Sequence, residues 1–529
     1  MAKTVKTQSK YKLPNPLVYR LSNPSYTIYH RAALGGLAAT LRAWDENNEP
    51  PDGIKAEVES DQVRLSWDET LSDRDFLHRL IGASFKRDEE SKLIELPGQQ
   101  IKEGIKDLRL AIHNGIAATF LQHNKMRPGE KTPRMMPLAD ADGKDLGVFS
   151  YKAVNEYAHQ KAQGLGLLEA KGDGGLPATA AIPQWMVPGA TGGAAALEAA
   201  TDEIILLMYL MVGSAVFLLR PRTFQEKAQA CVIVPDVIDL VAFATAVKRT
   251  AASGQKFERF TNTYLGRIVG GAEEAALSFM LDLQAGDVAR ERSVAGCIVV
   301  AMGKVAWDKN QINRSLIAKV RDDYEEMAVF KVAKPLGRSK VIKTRDGVDF
   351  VVRSSPLPEL IAANLAAGNH WCANFKSLVS EKKDFERMLF DKGGLNAMKE
   401  AIKDADDQAI IRVFHEAWGW TRSNLGKRDE KRDADASVSL QNRKEKMRND
   451  ILRAKTADAL ASWFLRFCAD ATKGNALNVL KNPDEARRVR EFIFSRRNFE
   501  RFQNLCLFAL VSYSYAGKPK DGNTEGGEE

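Results

Sequence analysis

The spacing of hydrophobic and polar residues predicts a mixed α and β N-terminal half. Apolar residues recur at helical intervals in two segments, and the second begins with Ser-x-x-Asp, which is a helix-capping signal. Between them, two alternating runs predict a hairpin. The pair Gly35-Gly36 weakens the first helix, so we expect another backbone to pack closely against it. The predicted helices are 26–44 and 72–85, and the hairpin strands are 55–59 and 62–67.

Further along the chain, the pattern predicts a few more strands and then helices alone. The apolar run 204–219 has 16 residues, too few to span a bilayer, and predicts a buried core helix. From 360 to 514 helical periodicity dominates, interrupted by the charged segment 426–435, and its last part reads as one helix from 484 to 514. The predicted strands are 230–234, 294–302, 340–344 and 348–353, the last two forming a hairpin around Asp346-Gly347.

These elements predict an α+β fold, in which a mixed N-terminal part with short sheets is followed by a C-terminal all-α bundle. The segment 164–193 has eight glycines and three prolines and few charges, which favours a long loop or linker. We therefore expect four regions: an N-terminal α+β domain (1–163), this loop or linker (164–193), a middle α+β domain (194–359) and a helical bundle (360–529).

Charge is distributed unevenly along the 529 residues. The net charge of +8 divides into +7 over residues 1–44, −3 over 45–397 and +4 over 398–529. A concentration of bases suits a polyanionic partner, because Lys and Arg displace condensed counterions from a phosphate backbone. The alternative is a solvated basic tail.

The sequence has none of the common catalytic motifs. There is no P-loop, no G-x-S-x-G elbow and no acidic cluster for two metals, and His415-Glu416 lacks the second histidine of H-E-x-x-H. His370 and Cys372 could share a metal, but a hydrogen-bonded histidine is the favoured interpretation. We expect no enzyme activity, no cofactor and no metal. Five scattered cysteines and the lack of a secretory signal predict a reducing, cytoplasmic location without a membrane partner.

Several regions combine basic, amide and aromatic residues. Around 248–267 and 310–314, cations and amides could read base edges in a groove, although an ordinary surface loop would look the same. The stretch 327–345 contains no acid, and the last helix carries arginines opposite its apolar face. The groove candidates are Lys256, Arg259, Asn262, Asn310, Gln311 and Asn313. The phosphate-track candidates are Lys331, Lys334, Arg338, Lys340, Lys343, Arg490, Arg497 and Arg501.

The N-terminal helix also carries a family resemblance. Its sequence from Tyr26 to Thr40, which includes His-Arg-Ala-Ala-Leu-Gly-Gly-Leu, resembles the large subunit (Cas-eight type) of a type I CRISPR surveillance complex, Cascade. The nearest likeness is to the myxobacterial-type branch related to subtypes I-A and I-B, and it extends loosely over the whole chain. The family has no catalytic signature to transfer, and its recognition residues cannot be placed by pattern.

The resemblance implies a non-catalytic role in antiviral defence. Such a subunit recognises the protospacer-adjacent motif (PAM) on target duplex DNA, aids R-loop opening and holds the displaced single strand, while crRNA base pairing reads the sequence. The implied partners are crRNA, target double-stranded DNA, a repeated backbone subunit, a handle-capping subunit, a small subunit, and helicase-nuclease or transposition proteins. The residues expected to dock the crRNA handle or another subunit are Lys10, Lys12, Tyr29, His30 and Arg31. A nucleic-acid-modifying enzyme and a ribonucleoprotein scaffold remain alternatives.

In several subtypes of this family the small subunit is translated from an internal start. Here Lys392-Gly393-Gly394 can be encoded by a Shine–Dalgarno sequence, and Met398 follows at a suitable distance. Initiation there would produce residues 398–529 as a separate, internally initiated small subunit. Met388 is the rival start, and the alternative is that the two glycines only form a turn.

Overall fold

A computed structural model describes most of the chain. The described residues are 11–47, 49–100, 106–122, 130–139, 143, 145–155, 176–182, 186–188, 197–219, 229–252, 257–259, 265–284, 292–303, 317–320, 326–337, 339–343, 349–353, 355–430, 436–473 and 483–514. The chain forms two compact units, the first from 1–323 with 339–354 and the second from 324–338 with 355–529. The first unit thus takes in the predicted N-terminal domain, the predicted linker and most of the predicted middle domain.

The first unit mixes helices with short sheets, as the predicted α+β class requires. Its helices are α1 (Ile28–Asn47), α2 (Asp73–Ser84), α3 (Lys106–Ala118), α4 (Thr201–Leu207), α5 (Leu210–Gly213), α6 (Leu240–Ala252) and α7 (Ala272–Gln284), with a 3-10 turn at Pro97–Gln99. Its strands are β1 (Leu17–Arg20), β2 (Ile54–Val58), β3 (Gln62–Trp67), β4 (Lys86–Arg87), β5 (Ile94–Glu95), β6 (Arg134–Ala139), β7 (Asp145–Tyr151), β8 (Thr179–Ala181), β9 (Glu198–Ala200), β10 (Ala215–Leu219), β11 (Gln229–Val237), β12 (Glu258–Arg259), β13 (Leu265–Gly266), β14 (Ile268–Val269), β15 (Val294–Ala301), β16 (Ile317–Val320), β17 (Ser339–Lys343) and β18 (Asp349–Arg353).

Two sheets organise the first unit. The predicted hairpin β2–β3 gains β1 on its other side, in the antiparallel order β1-β3-β2. The larger sheet has the order β14-β10-β11-β15-β16, and the two strands predicted from short apolar runs, β11 and β15, pair at its centre. The predicted hairpin near residue 346 is present as β17 and β18, and its turn lies outside the described residues.

Helix α1 runs through the core of the first unit. Fourteen of its twenty residues are buried, which an isolated amphipathic helix would not allow. A Cβ on Gly36 would meet the carbonyl oxygen of Tyr209 and lie 2.5 Å from the amide nitrogen of Gly213 on α5. The expected close backbone approach at the glycine pair is therefore confirmed.

The predicted helix 204–219 is buried but is not one helix. It divides into α4, the four-residue α5 and strand β10, which pairs with β11 and β14. A continuous apolar run has no periodicity that distinguishes a buried helix from a buried strand. Here the backbone N–H and C=O groups of its second half form hydrogen bonds with neighbouring strands instead of within a helix.

The described part of the predicted loop or linker packs within the first unit. Strand β8 lies inside it and pairs with β9, and Met186 and Val187 are buried. In the same segment, the Pro188 carbonyl accepts a hydrogen bond from the hydroxyl of Tyr29 (2.8 Å). These contacts fit a long loop that covers α1 better than a free linker.

The second unit is helical, as predicted for the C-terminal third. Its helices are α8 (Met327–Ala333), α9 (Leu357–Ala366), α10 (Lys382–Phe390), α11 (Lys392–Ala401), α12 (Ala405–Glu430), α13 (Ala436–Arg453), α14 (Ala457–Ala471), α15 (Pro483–Ile493) and α16 (Phe499–Ser512), with 3-10 turns at Lys334–Gly337, Phe375–Leu378 and Arg496–Asn498. Helix α16 is central, and the Trp371 and Phe375 rings meet Phe508 edge-on at 4.9 and 5.7 Å.

Two helix boundaries in this unit differ from the predictions. The charged segment at 426–435 does not interrupt α12 before Glu430, because Lys, Arg and Glu are good helix formers even on a solvated stretch. The single helix predicted for 484–514 is wrong: Ser495 has extended backbone, and a 3-10 turn separates α15 from α16. In the part of the chain that the structure describes, no helix is long and apolar enough to cross a membrane.

Candidate nucleic-acid interface

The aromatic and basic residues expected to dock crRNA at the start of α1 face the interior of the first unit. Tyr29 is 8% exposed, and burial raises its pKa to about 12, so its hydroxyl remains a neutral donor. His30 stacks on Tyr26, and the Nε of Arg31 lies 2.6 Å from Asp236 Oδ1. Tyr26 and Tyr29 thus both pack in the core of the first unit. Lys12 is exposed, and Lys10 lies outside the described residues.

The groove candidates are almost entirely beyond the described part of the chain. Lys256, Asn262, Asn310, Gln311 and Asn313 all lie outside it. Arg259 is the exception, since its backbone forms strand β12 and pairs with Leu265 of β13. These residues stay predictions.

The acid-free stretch 327–345 is divided between the two units. Lys331 is exposed on α8 and Lys334 begins the following 3-10 turn, and both belong to the second unit. Lys340 and Lys343 lie on β17 in the first unit, and Arg338 falls outside the described residues. The phosphate track along this stretch stays a prediction.

The end of α15 is the basic surface that the structure describes best. Arg490 and Arg497 are both exposed, as the sequence predicted, and neither makes an ion pair within the described ranges. Arg487, one turn before Arg490, is 67% exposed, and its one ion pair among the residues described is with the exposed carboxylate of Asp484 at 3.7 Å. An arginine without a buried carboxylate partner remains available to a phosphate.

Arg501, another of the predicted phosphate-track arginines, is directed toward two carboxylates of the same unit. Its Nε and Nη2 donate to Asp407 Oδ1 at 2.9 and 2.6 Å, and Nη2 lies 2.8 Å from Asp404. Burial alone would lower the pKa of Arg501, but the two carboxylates raise it. Arg490 lies on α15, Arg497 in the 3-10 turn and Arg501 on α16, so the three arginines do not share the face of one helix as predicted.

Asp407 is the centre of a buried polar cluster. It is fully buried, and its Oδ2 also accepts a hydrogen bond from the indole of Trp371 (2.9 Å). His370 Nε2 lies 2.9 Å from the same oxygen. His370 Nδ1 lies 3.1 Å from the Cys372 sulfur. The favoured hydrogen-bonded histidine is thus what the structure shows, and the described residues contain no group of three or more His, Cys, Asp or Glu arranged to hold a metal ion.

Two exposed residues near the end of α15 were not among the predicted site residues. Phe494 is 45% exposed although it is large and apolar, and Arg496 beside it is also exposed. The amide of Phe494 donates to the carbonyl of Arg490 (3.4 Å), which continues the helix by one residue and places both side chains on one face. Their i, i+4 spacing is the signal that could have found this pair.

An aromatic ring among cations is the arrangement that single strands need. Bases stack on the ring with little sequence preference, and arginines hold the backbone. We call this set the α15 surface, and its members are Arg487, Arg490, Phe494, Arg496 and Arg497.

Comparison with known proteins gives two domain matches that fall on the two units. The family model of the DevT N-terminal domain matches residues 18–208, within the first unit, and that of the DevT C-terminal domain matches residues 398–529, within the second. Together they define a two-domain protein of the DevT class.

A relative that matches nearly the whole chain shows which kind of protein this class contains. The CRISPR-associated protein Cas8a1/Csx13 of Myxococcus xanthus (strain DK1622) is 25% identical over 560 residues, covering 98% of this chain and 92% of that protein. The chain belongs to the DevT family of Cas8-type CRISPR-associated large subunits. The resemblance seen in the α1 sequence is therefore confirmed.

Proposed function

We propose that this chain is the non-catalytic large subunit of a crRNA-guided DNA surveillance complex. In that role it recognises the PAM on target duplex DNA, aids R-loop opening and holds the displaced strand, with crRNA and other complex subunits as partners. The family membership supports the complex, and the α15 surface supports the contact with a strand. Helicase-nuclease or transposition proteins would act downstream.

The α15 surface carries the strand-holding part of this proposal. Four exposed arginines, each able to contact a phosphate, lie within seven residues of the exposed Phe494 ring in sequence, two on α15 and two in the 3-10 turn that follows it. Each phosphate contact with a single strand contributes a slope of about −0.7 to the dependence of log affinity on log salt. Base stacking on an aromatic contributes roughly 1–3 kcal/mol per base and does not depend on sequence.

The experiment is binding by the reconstituted complex to a PAM-bearing duplex and to the same duplex with an altered flanking motif. We expect tighter binding with the PAM, and affinity that falls steeply with salt. A triple variant, Arg490→Gln, Arg496→Gln and Arg497→Gln, should leave PAM preference intact but expose the displaced strand to a single-strand-specific nuclease. Arg453→Gln, at the exposed end of α13, is the matched control.

Three outcomes would contradict the proposal. Equal binding to both duplexes would reject PAM recognition, and unchanged protection of the displaced strand in the triple variant would reject the α15 surface. Turnover of nucleic acid by the isolated chain would favour the alternative of a modifying enzyme.

We also propose that residues 398–529 are made separately as a small subunit. The match to the DevT C-terminal domain begins at Met398, the predicted internal start. Gly393 and Gly394 lie inside α11 rather than in a turn. A Cβ on Gly394 would collide with Leu336, whereas a Cβ on Gly393 would meet nothing within 4 Å. Packing thus explains why residue 394 is a glycine. The need for a ribosome-binding sequence in the gene would explain why residue 393 is one.

The test is Met398→Leu, encoded by a codon that does not initiate. Met398 is fully buried, and Leu keeps its volume, so the large subunit should fold normally. We expect a small band to disappear from the purified complex. Persistence of that band would reject this start, and its loss with Met388→Leu instead would identify the rival.

A further inference from the structure

One arginine of the helical unit is buried without a carboxylate partner. Arg448 of α13 is 5% exposed, and it makes no ion pair among the residues that the structure describes. Its Nη2 donates to the side chain of the neighbouring Asn449 (3.0 Å), but its Nε and Nη1 are buried and have no hydrogen-bond partner in the described part of the chain. A buried charge without a partner is costly, so packing of the full chain does not account for an arginine at this position.

Helix α10 covers this arginine. The Cζ atom of Arg448 lies 5.2 Å from the ring centroid of Phe385, which is 2% exposed. One turn away on each helix, Lys382 of α10 lies 3.1 Å from Glu445 of α13. Both α10 residues precede Met398 in the chain, so neither belongs to the proposed small subunit.

The helices that remain in residues 398–529 have contacts of their own that hold α13 in place. Phe464 of α14 meets Phe502 of α16 edge-on at a centroid distance of 5.3 Å. Gln503 of α16 donates to the carbonyl oxygen of Ile451 in α13 (2.9 Å). Neither contact involves a residue before 398. We therefore expect α13 to keep its place in the small subunit while its arginine loses the cover.

Helix α13 is basic around the buried arginine. It carries five Lys and Arg residues against two Asp and Glu residues, and its Lys446 and Arg453 are exposed in the full chain. A nucleic-acid backbone, which has a charge at every phosphate, matches such a helix better than a single carboxylate does. A guanidinium can also donate two parallel hydrogen bonds to one phosphate.

We infer that Arg448 binds a backbone phosphate of nucleic acid in the small subunit, and that α10 prevents this contact in the large subunit. The same residue then has two environments, because the same stretch of sequence is present in two products. This inference rests on the proposed separate translation of residues 398–529, and it adds a ligand contact that only the shorter product makes. The contact is distinct from the α15 surface, whose arginines are exposed in the full chain.

The experiment encodes the two products separately. A full chain with Met398→Leu supplies only the large subunit and a second gene supplies residues 398–529, so Arg448→Gln can be placed in either product of the reconstituted complex. The salt slope is measured for binding of a PAM-bearing duplex and, without DNA, for retention of labelled crRNA. In the small subunit, we expect Arg448→Gln to reduce one of these slopes by about 0.7 for each small subunit present, and in the large subunit to leave both unchanged. Within the small subunit, Arg448→Lys, which keeps the charge, and Arg466→Gln, at an exposed position of α14, should both retain the wild-type slopes.

The outcomes separate this inference from the proposal on which it rests. A complex made from the unmodified gene that contains no small subunit would overturn the separate translation and this contact with it. If the small subunit is present and its Arg448→Gln variant changes neither slope, the phosphate contact alone is wrong. Loss of that variant from the purified complex would show that the arginine contacts another protein, which also overturns the inference. A reduced slope for the duplex would identify DNA as the source of the phosphate, and a reduced slope for crRNA would identify the guide.

Discussion

The start of α1 and the end of α15 have similar compositions, but their side chains have different exposure. Those of α1 face the interior of their unit, and those of α15 face solvent. Both combine arginines with aromatic side chains, and both were candidates for nucleic-acid contact. At α1, Tyr29 is buried and Arg31 lies 2.6 Å from Asp236. At α15, Phe494 is 45% exposed and Arg490 has no ion pair among the residues described.

The difference shows that an arginine's role depends on carboxylates far away in the sequence. Arg31 and Asp236 are 205 residues apart, and Arg501 and Asp407 are 94 apart. Charge pairing in a low-dielectric interior removes such an arginine from the surface, whereas an arginine that meets no carboxylate stays available. Local composition therefore identifies candidates, and only long-range contacts select among them.

The largest expected effect is a loss of stability when the buried ion pair between Asp407 and Arg501 is broken. We expect Asp407→Asn to cost about 3 kcal/mol of unfolding free energy, because Arg501 then loses its buried carboxylate and keeps only the partly exposed Asp404. Chemical denaturation of the full chain measures this. Adding Arg501→Met should recover part of the loss, since the half-buried guanidinium that lost its buried partner is then removed. A small cost for Asp407→Asn would contradict the structural role assigned to Arg501.

The second test concerns α1 as a core helix. Gly36→Ala should destabilise the first unit by roughly 3 kcal/mol, because the added Cβ collides with backbone atoms of Tyr209 and Gly213. Gly82→Ala in α2 is the matched control: its Cβ meets nothing within 4 Å, and it should stabilise the chain by about 0.5–1 kcal/mol. Thermal unfolding would show both, and a tolerated Gly36→Ala would refute the close helix contact.

The third test concerns the exposed ring. Phe494→Ala should weaken single-strand binding by about 1–3 kcal/mol without changing its salt dependence, since stacking involves no counterion release. Phe494→Trp should retain most of the affinity. If Phe494→Ala binds as tightly as the wild type in a fluorescence titration, the ring does not contact bases.

The smallest expected effect is a change in the salt dependence of single-strand binding, measured for one arginine of each helix. Arg490→Gln should reduce the salt slope of single-strand binding by about 0.7, whereas Arg31→Gln should leave the slope unchanged and lower stability instead. Both quantities come from one series of titrations and melts. A slope change in Arg31→Gln would show that the α1 arginine contacts nucleic acid after all.

Much of the fold was predictable because its signals are local. The helix at α1, the capping box at Ser72, the β2–β3 hairpin and the helical C-terminal third depend on periodicity and on residues within one turn. The candidate site was predictable only in part. Arg490 and Arg497 are exposed as expected, but Arg501 is buried against Asp407, and Phe494 was not recognised because the helix break at Ser495 is not marked by Gly or Pro.

By itself, the sequence determined the α+β class, the tight packing implied by Gly35-Gly36 and the family to which the chain belongs, because these follow from short-range patterns and from direct similarity. Only the tertiary structure decided that the apolar run at 204–219 turns from helix into strand and which arginines reach solvent. Both depend on partners brought from distant positions: a neighbouring strand that satisfies the backbone, and a carboxylate that neutralises a buried charge.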